Sequence, residues 1–210
     1  MYDYLIDSHC HLQSIGLDDH TGQLWAKDQL DLDSVLQQSK DYNVQKMIVV
    51  GCHLVDSRKA IELAKNYSEL YPAIGIHPHE ATNFLSSDQI KFENLINDQV
   101  VAIGECGLDY FYHYSDIQSQ KRILIWQLQL AKKYQLPLIF HVRLAFDDFW
   151  PIVKDFLPLK AVLHSFTDSI ENLTKALEYG WMIGVNGIAT FTKDQNQLEM
   201  FKAIPIQNLI

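Results

Sequence analysis

Leu5-Ile6-Asp7-Ser8-His9-Cys10-His11 ends a short apolar run in Asp-x-His-x-His. Alternate residues of an extended chain point to the same side. His9 and His11 therefore leave the end of one strand together, as two neutral nitrogen donors for a divalent metal. Taken alone they are only two histidines; their meaning depends on what the rest of the chain brings to the same place. Gly75-Ile76-His77-Pro78-His79-Glu80 repeats the pattern after another apolar run. Val100-Val101-Ala102-Ile103-Gly104 leads into Glu105-Cys106-Gly107-Leu108-Asp109-Tyr110. A carboxylate directly after an apolar strand is costly unless it meets a cation or a donor. Ile139-Phe140 runs into His141-Val142-Arg143, and Val162-Leu163 into His164-Ser165-Phe166.

This donor set is nitrogen and carboxylate, with no thiolate required. It suits Zn²⁺, Mn²⁺ or Mg²⁺ in a hydrolytic role and not an iron–sulfur cluster. His9 and His11 with Glu105 suit one cation. Glu105, His141 and His164 suit a second, and the shared Glu105 is the candidate catalytic carboxylate. Two cations about 3.5–4 Å apart polarise a phosphoryl oxygen and generate a hydroxide between them. His77, His79 and Arg143 are candidate substrate contacts. The planar fork of Arg143 suits a phosphate, and its alternative is a structural ion pair with a carboxylate such as Asp109. Asp7 is expected to orient its loop through backbone hydrogen bonds. Cys10 and Cys106 alternate to the face opposite the ligands and read as packing residues. His20, His53 and His113 read as solvent or loop residues.

Strand ends must position these groups. Short apolar runs at Tyr4–Ile6, Met47–Val50, Ala73–Ile76, Val100–Ile103, Leu138–Phe140, Ala161–Leu163 and Met182–Val185 are rich in β-branched residues, as expected for parallel strands buried on both faces. Helical periodicity falls between them, at Leu32–Tyr42, Asp56–Tyr67, Ser87–Ile96, Ile117–Tyr134, Phe146–Phe156, Ser169–Tyr179 and Gln195–Ala203. Ser87 and Asp168-Ser169 stand where caps are wanted, Gly180 where a helix should stop, and Pro151 where the fifth should shorten or kink. Alternating strand and helix implies a parallel sheet, either an open doubly wound sheet or a (β/α)₈ barrel. Strand ends one, three, four, five and six each deliver His or Glu; an open sheet could not easily bring ends one, four, five and six together, which favours a barrel, whose C-terminal mouth is where such sites are built. The expected fold is therefore α/β, a TIM-type barrel in a single domain spanning residues 1–210.

The composition is that of an ordinary globular chain: 48% hydrophobic and 20% charged over 210 residues, enough for one substantial core. Seventeen basic against 26 acidic residues give a net charge of −9. A polyanionic substrate would then be held by bound cations and a few local groups, not by a long-range positive field. Three widely spaced cysteines, Cys10, Cys52 and Cys106, form no disulfide framework and suggest the reducing cytoplasm. No signal peptide and no apolar run of membrane-spanning length is visible.

The motifs Asp7-Ser8-His9-Cys10-His11, Gly75-Ile76-His77-Pro78-His79, Gly104-Glu105-Cys106-Gly107-Leu108-Asp109-Tyr110, His141-Val142-Arg143 and His164-Ser165-Phe166 stand in an order that resembles the TatD family of metal-dependent deoxyribonucleases. The resemblance implies that His9 and His11 form the first metal pair, Glu105 the bridge, and His141 and His164 the second pair. It also implies hydrolysis of DNA phosphodiesters, of the 3′ exonuclease type, at single-stranded ends and with two divalent cations. In that family the last strand runs into a Glu-Thr-Asp-Ala-Pro stretch whose Asp completes the site. Here the sequence reads Ile204-Pro205-Ile206-Gln207-Asn208-Leu209-Ile210 and goes no further. The expectation is a barrel lacking most of its last strand and its closing helix, able to bind metal but slow in hydrolysis. Asp194 is the nearby carboxylate that would have to substitute, and metal geometry tolerates little displacement. Two other readings compete. One is a metal-dependent hydrolase of an amide, a lactone or an aminoacyl-tRNA ester, against which a glutamate instead of a carbamylated lysine stands at the bridge. The other is a degenerate, inactive fragment kept for an interaction.

Overall fold

The apolar runs form seven strands, β1 (Leu5–Cys10), β2 (Val44–Val50), β3 (Leu70–Ile74), β4 (Ala102–Asp109), β5 (Leu138–Arg143), β6 (Ala161–Leu163) and β7 (Met182–Ile183). The computed structural model describes residues 4–15 and 31–210; His20 lies outside them. The strands pair in sequence order, each parallel to the next. In a flat sheet β1 and β6 would be five spacings apart, roughly 24 Å. Instead the ring of His9, in β1, stacks on the ring of His164, just after β6, with centroids 3.4 Å apart and planes at 15°. The sheet is curled into most of a barrel, and the open doubly wound alternative is excluded. Beyond β7 the chain re-enters the sheet: Leu209 bridges Ile183 in parallel, and the Ile210 N–H donates to the Ile183 carbonyl. Among the described residues no ladder joins this segment to β1, whose Leu5 and Ile6 are exposed.

The helices are α1 (Leu32–Asp41), α2 (Leu54–Asn66), α3 (Gln89–Glu93), α4 (Ile117–Tyr134), α5 (Phe146–Lys154), α6 (Ile170–Glu178), α7 (Ile188–Phe191) and α8 (Gln195–Ala203). Side chains start several of them. Asp31, Asp116 and Ser169 each accept the backbone N–H three residues on, and Gly180 follows α6 with φ +72°. The third helix is shorter than its sequence suggests, a 3₁₀ turn at Ser86–Asp88 leading into five α-helical residues. Only Phe92 of α3 is buried, too little apolar surface to hold a longer helix. Pro151 does not end α5. Phe146, Phe149, Trp150 and Val153 on its inner face are buried, each contributing about 1.5–3 kcal/mol, which outweighs the roughly 3 kcal/mol of an internal proline. Together with Phe140, Phe166 and Trp181 they fill the space behind β5 and β6.

Three strands run further than their apolar cores. β1 continues through His9 to Cys10, β5 through His141 to Arg143, and β4 through Glu105 to Asp109, with every residue of β4 buried. Polar residues continue these strands because they satisfy one another. Gly107, in β4, has φ +152°, and a Cβ there would lie 1.8 Å from the carbonyl oxygen of His141. Only glycine lets the β4 and β5 backbones approach where Gly107 pairs with His141. Among the described residues no helix is long and apolar enough to cross a membrane.

Candidate metal centre

Glu105 lies at the centre of the mouth, and both of its oxygens are engaged. Oε2 is 3.3 Å from His9 Nε2 and 3.9 Å from His11 Nε2. Oε1 is 2.9 Å from His141 Nδ1 and 3.7 Å from His77 Nε2. Two clusters of candidate ligand atoms share this carboxylate: His9, Glu105 and His164 on one side, His77, Glu105 and His141 on the other. His9, His11, Glu105, His141 and His164 are thus brought together, but grouped differently from the sequence expectation. Curling of the sheet carries His164 onto His9, and the loop after β3 puts His77 where a second ligand beside His141 was looked for.

The surroundings fix each ring. His11 Nδ1 donates to the Val50 carbonyl at 2.8 Å. Its Nε2 is thereby left as the lone-pair nitrogen, and a backbone carbonyl such as that of Val50 is a usual second partner of a metal-binding histidine. Asp7 is exposed, and its Oδ1 accepts the His9 N–H at 3.0 Å, so it does orient the loop. His141 is clasped between carboxylates, donating from Nδ1 to Glu105 and from Nε2 to Asp109 at 2.8 Å. Both bonds need both N–H groups, which is the imidazolium form. Burial opposes that charge, but the hydrogen bonds to Asp109 and Glu105 outweigh burial and raise His141 to about 9. Burial lowers His77 to about 3, and burial with the neighbouring His9 lowers His164 to about 3. Burial would raise Glu105, yet the histidines around it win and hold it well below the usual carboxylate range.

These residues fit divalent cations. His9 Nδ1 is buried and has no hydrogen-bond partner among the described residues. The Nε2 atoms of His9 and His11 face each other at 3.2 Å. Imidazole nitrogens crowded against an ionised carboxylate are a donor set for a cation, which would displace the proton between His141 and Glu105.

His79 Nε2 donates to Asp109 Oδ2 at 3.0 Å. Arg143 makes no ion pair with Asp109; its guanidinium carbon sits 3.8 Å from the Phe111 ring centroid. Cys10 and Cys106 pack, their thiols directed at the carbonyls of Ile48 and Ile139. Burial, with Asp7 adding, pushes the Cys10 thiol up to about 12. His53 caps α2 and His113 is exposed. Asp194 caps α8, accepting the Asn196 N–H at 2.9 Å, and belongs to neither ligand cluster.

Three supporting residues escape a reading of spacing alone. Asp109 is buried. It accepts from His79 and His141 on one oxygen and from the N–H groups of Phe111 and Tyr112 on the other. Gln120 and Gln127 are buried two turns apart on α4. Gln127 bonds both the N–H and the carbonyl of Ile76, just before His77. Gln120 bonds the N–H and carbonyl of Asp109 and the carbonyl of Ser115. The signal available was two glutamines seven apart on the apolar face of a helix.

A family profile described as TatD related DNase matches residues 6–210. The chain belongs to this family. A TatD relative from Schizosaccharomyces pombe, named deoxyribonuclease Tat-D, is 37% identical over 195 residues, covering 86% of this chain and 62% of its own length. One from Erwinia tasmaniensis, named 3′-5′ ssDNA/RNA exonuclease TatD, is 34% identical over 185 residues, covering 86% of this chain and 71% of its own. The crystal structure of a TatD family hydrolase from Entamoeba histolytica superposes with a TM-score of 0.86 at 29% identity, over all of this chain and 73% of the other. The chain thus spans about three-fifths of the length of the S. pombe relative.

Proposed function

We propose that this TatD protein is a divalent-metal-dependent phosphodiesterase that shortens DNA from single-stranded 3′ ends. The observation that carries the reading is Glu105, with both oxygens facing histidines delivered by β1, β5 and the loop after β3. Relatives named as a deoxyribonuclease and as a single-strand exonuclease support the choice of substrate. His9, His11, Glu105, His141 and His164, with His77 beside them, would hold two cations. Bound there, Zn²⁺, Mn²⁺ or Mg²⁺ would polarise a phosphoryl oxygen and supply a nucleophilic hydroxide at neutral pH.

The chain's own residues do the rest. Glu105 fixes the two histidine groups about one carboxylate and supplies the negative charge that offsets the cations. Val50 sets the tautomer of His11. Asp109 holds the rings of His79 and His141. Arg143 presents a guanidinium at the rim for a phosphate oxygen. Its three free cysteines suit a reducing cytoplasm.

The test is incubation of 5′-labelled single-stranded DNA with the chain and Mn²⁺ or Zn²⁺, beside a panel of lactones and amides. A ladder of strands shortened from the 3′ end, abolished by chelator and by Glu105→Gln, is expected. Turnover of a lactone or amide with no cleavage of DNA would overturn the reading.

A further inference from the structure

Phe111, Tyr112 and Tyr114 follow Asp109 in the loop between β4 and α4, and they are 48%, 38% and 68% exposed. Exposed aromatic rings on a mobile loop would need no explanation, but this loop is pinned. Asp109 Oδ1 accepts the N–H groups of Phe111 and Tyr112 at 2.9 and 3.0 Å. Ser115 Oγ donates to the His79 carbonyl at 2.6 Å and accepts the Thr82 N–H. Gln120 ties Asp109 to Ser115 from beneath. The rings of Tyr112 and Tyr114 lie nearly parallel, centroids 5.5 Å apart at 16°. The guanidinium of Arg143 covers Phe111 at 3.8 Å and reaches Tyr112 at 5.0 Å, and among the described residues it forms no ion pair. The strip is continuous with the metal centre. The His79 ring meets Tyr112 at 5.3 Å and Tyr114 at 4.9 Å, and the carboxylate that holds the loop also holds His79 and His141.

We propose that Tyr112 and Tyr114, with Phe111 and Arg143, form a stacking platform for the unpaired bases of the strand whose phosphodiester lies at the metal centre. The inference rests on the nuclease reading and deepens it. Every base has a π-face, so a rigid aromatic strip binds unpaired bases of any sequence. A duplex buries those faces in its own stack, and the strip therefore selects single strands. With a net charge of −9, the chain has no long-range field to draw in a polyanion. Base stacking, bound cations and the one guanidinium must supply the grip. The three rings expose on the order of 300 Å², well short of the roughly 800 Å² per partner of a stable protein interface. The rings already lie against one another or under Arg143, so a base stacks on an open outer face rather than between two rings.

The experiment is fluorescence titration of the whole chain, in chelator and at low ionic strength so that nothing is cleaved and only stacking and the guanidinium are left to grip, with a single strand carrying 2-aminopurine near its 3′ end. The control strand is abasic at the same positions and carries a fluorophore at its 5′ end. The base-bearing strand is expected to be quenched on binding and held about tenfold more tightly than the abasic one. Tyr114→Ala should lose about tenfold on the base-bearing strand and nothing on the abasic strand, with Tyr114→Trp restoring affinity. Tyr112→Ala should behave as Tyr114→Ala does, and thermal melting checks that each variant is folded. Equal affinity of wild type and alanine variants for the base-bearing strand, equal losses on both strands, or no binding at all would overturn the platform. Cleavage with Mn²⁺ is read separately: a chain that binds and quenches but never shortens DNA would sink the nuclease reading and leave the platform standing.

Discussion

Replacing Gln120 by leucine should destabilise the protein and loosen its site together. The side chains are similar in size, so the change removes hydrogen bonds with little change of volume. Three backbone groups lose their partner: the Asp109 N–H, the Asp109 carbonyl and the Ser115 carbonyl, now at 2.8, 3.0 and 3.0 Å. Each buried group left unsatisfied costs about 1–3 kcal/mol, and the added apolar burial returns about 1–2 kcal/mol. A net loss of about 4–5 kcal/mol follows from the middle of these ranges, which lowers Tm by about 8–20 °C in a chain of this size. Circular dichroism melts of the metal-free protein measure it. Gln118→Leu, on the exposed side of the same helix, is the control and should stay within about 0.5 kcal/mol of wild type. A Gln120→Leu melt within about 1 °C of wild type would show that the buried amide does not hold the loop.

Glu105→Gln should weaken binding of Mn²⁺ or Zn²⁺ at least tenfold by isothermal titration, because it removes the one charge common to both clusters; unchanged affinity would place the cations elsewhere. Without metal, stability should peak at about pH 6.5. His141, raised from 6.5 to about 9, adds stability that is complete below pH 6.5 and lost as pH rises through 9. His77 and His164, lowered to about 3, add stability that is complete above pH 6.5 and lost as pH falls toward 3. Urea unfolding at several pH values checks the shape, and stability that climbs from pH 6.5 to 9 contradicts it. Gly107→Ala should abolish soluble expression or lower Tm by more than 10 °C, about 3 kcal/mol or more in a chain of this size, since its methyl would meet the His141 carbonyl; a wild-type melt would refute the close approach.

Much of this was legible in the sequence because the signals were local. Strand and helix alternate with their own periods, and His9, His11, Glu105, His141 and His164 each close an apolar run. What spacing could not reveal depends on the curvature of the sheet. Nothing in the sequence near His164 says that it will stack on His9, or that His77 and not His164 will stand beside His141. Strand ends were misjudged where polar residues continue a buried strand. The apolar run stops at Ile103, but β4 continues through Glu105 and Asp109 because their histidine partners come from elsewhere in the chain. Arg143 was legible as a phosphate-binding type, but its resting place over Phe111 was not, because cation–π contacts have no sequence period.

The stacked pair of His9 and His164 has a consequence for how the molecule is made. The two rings are roughly 155 residues apart in the chain, so the centre is among the last features a folding or emerging polypeptide can assemble. Ions that bind only the completed centre then act as a late clamp by mass action, raising apparent stability by RT ln(1 + [L]/Kd). Cells or preparations short of metal would accumulate the same covalent chain in a more readily unfolded and proteolysed form, and abundance would track metal supply before any reaction is measured.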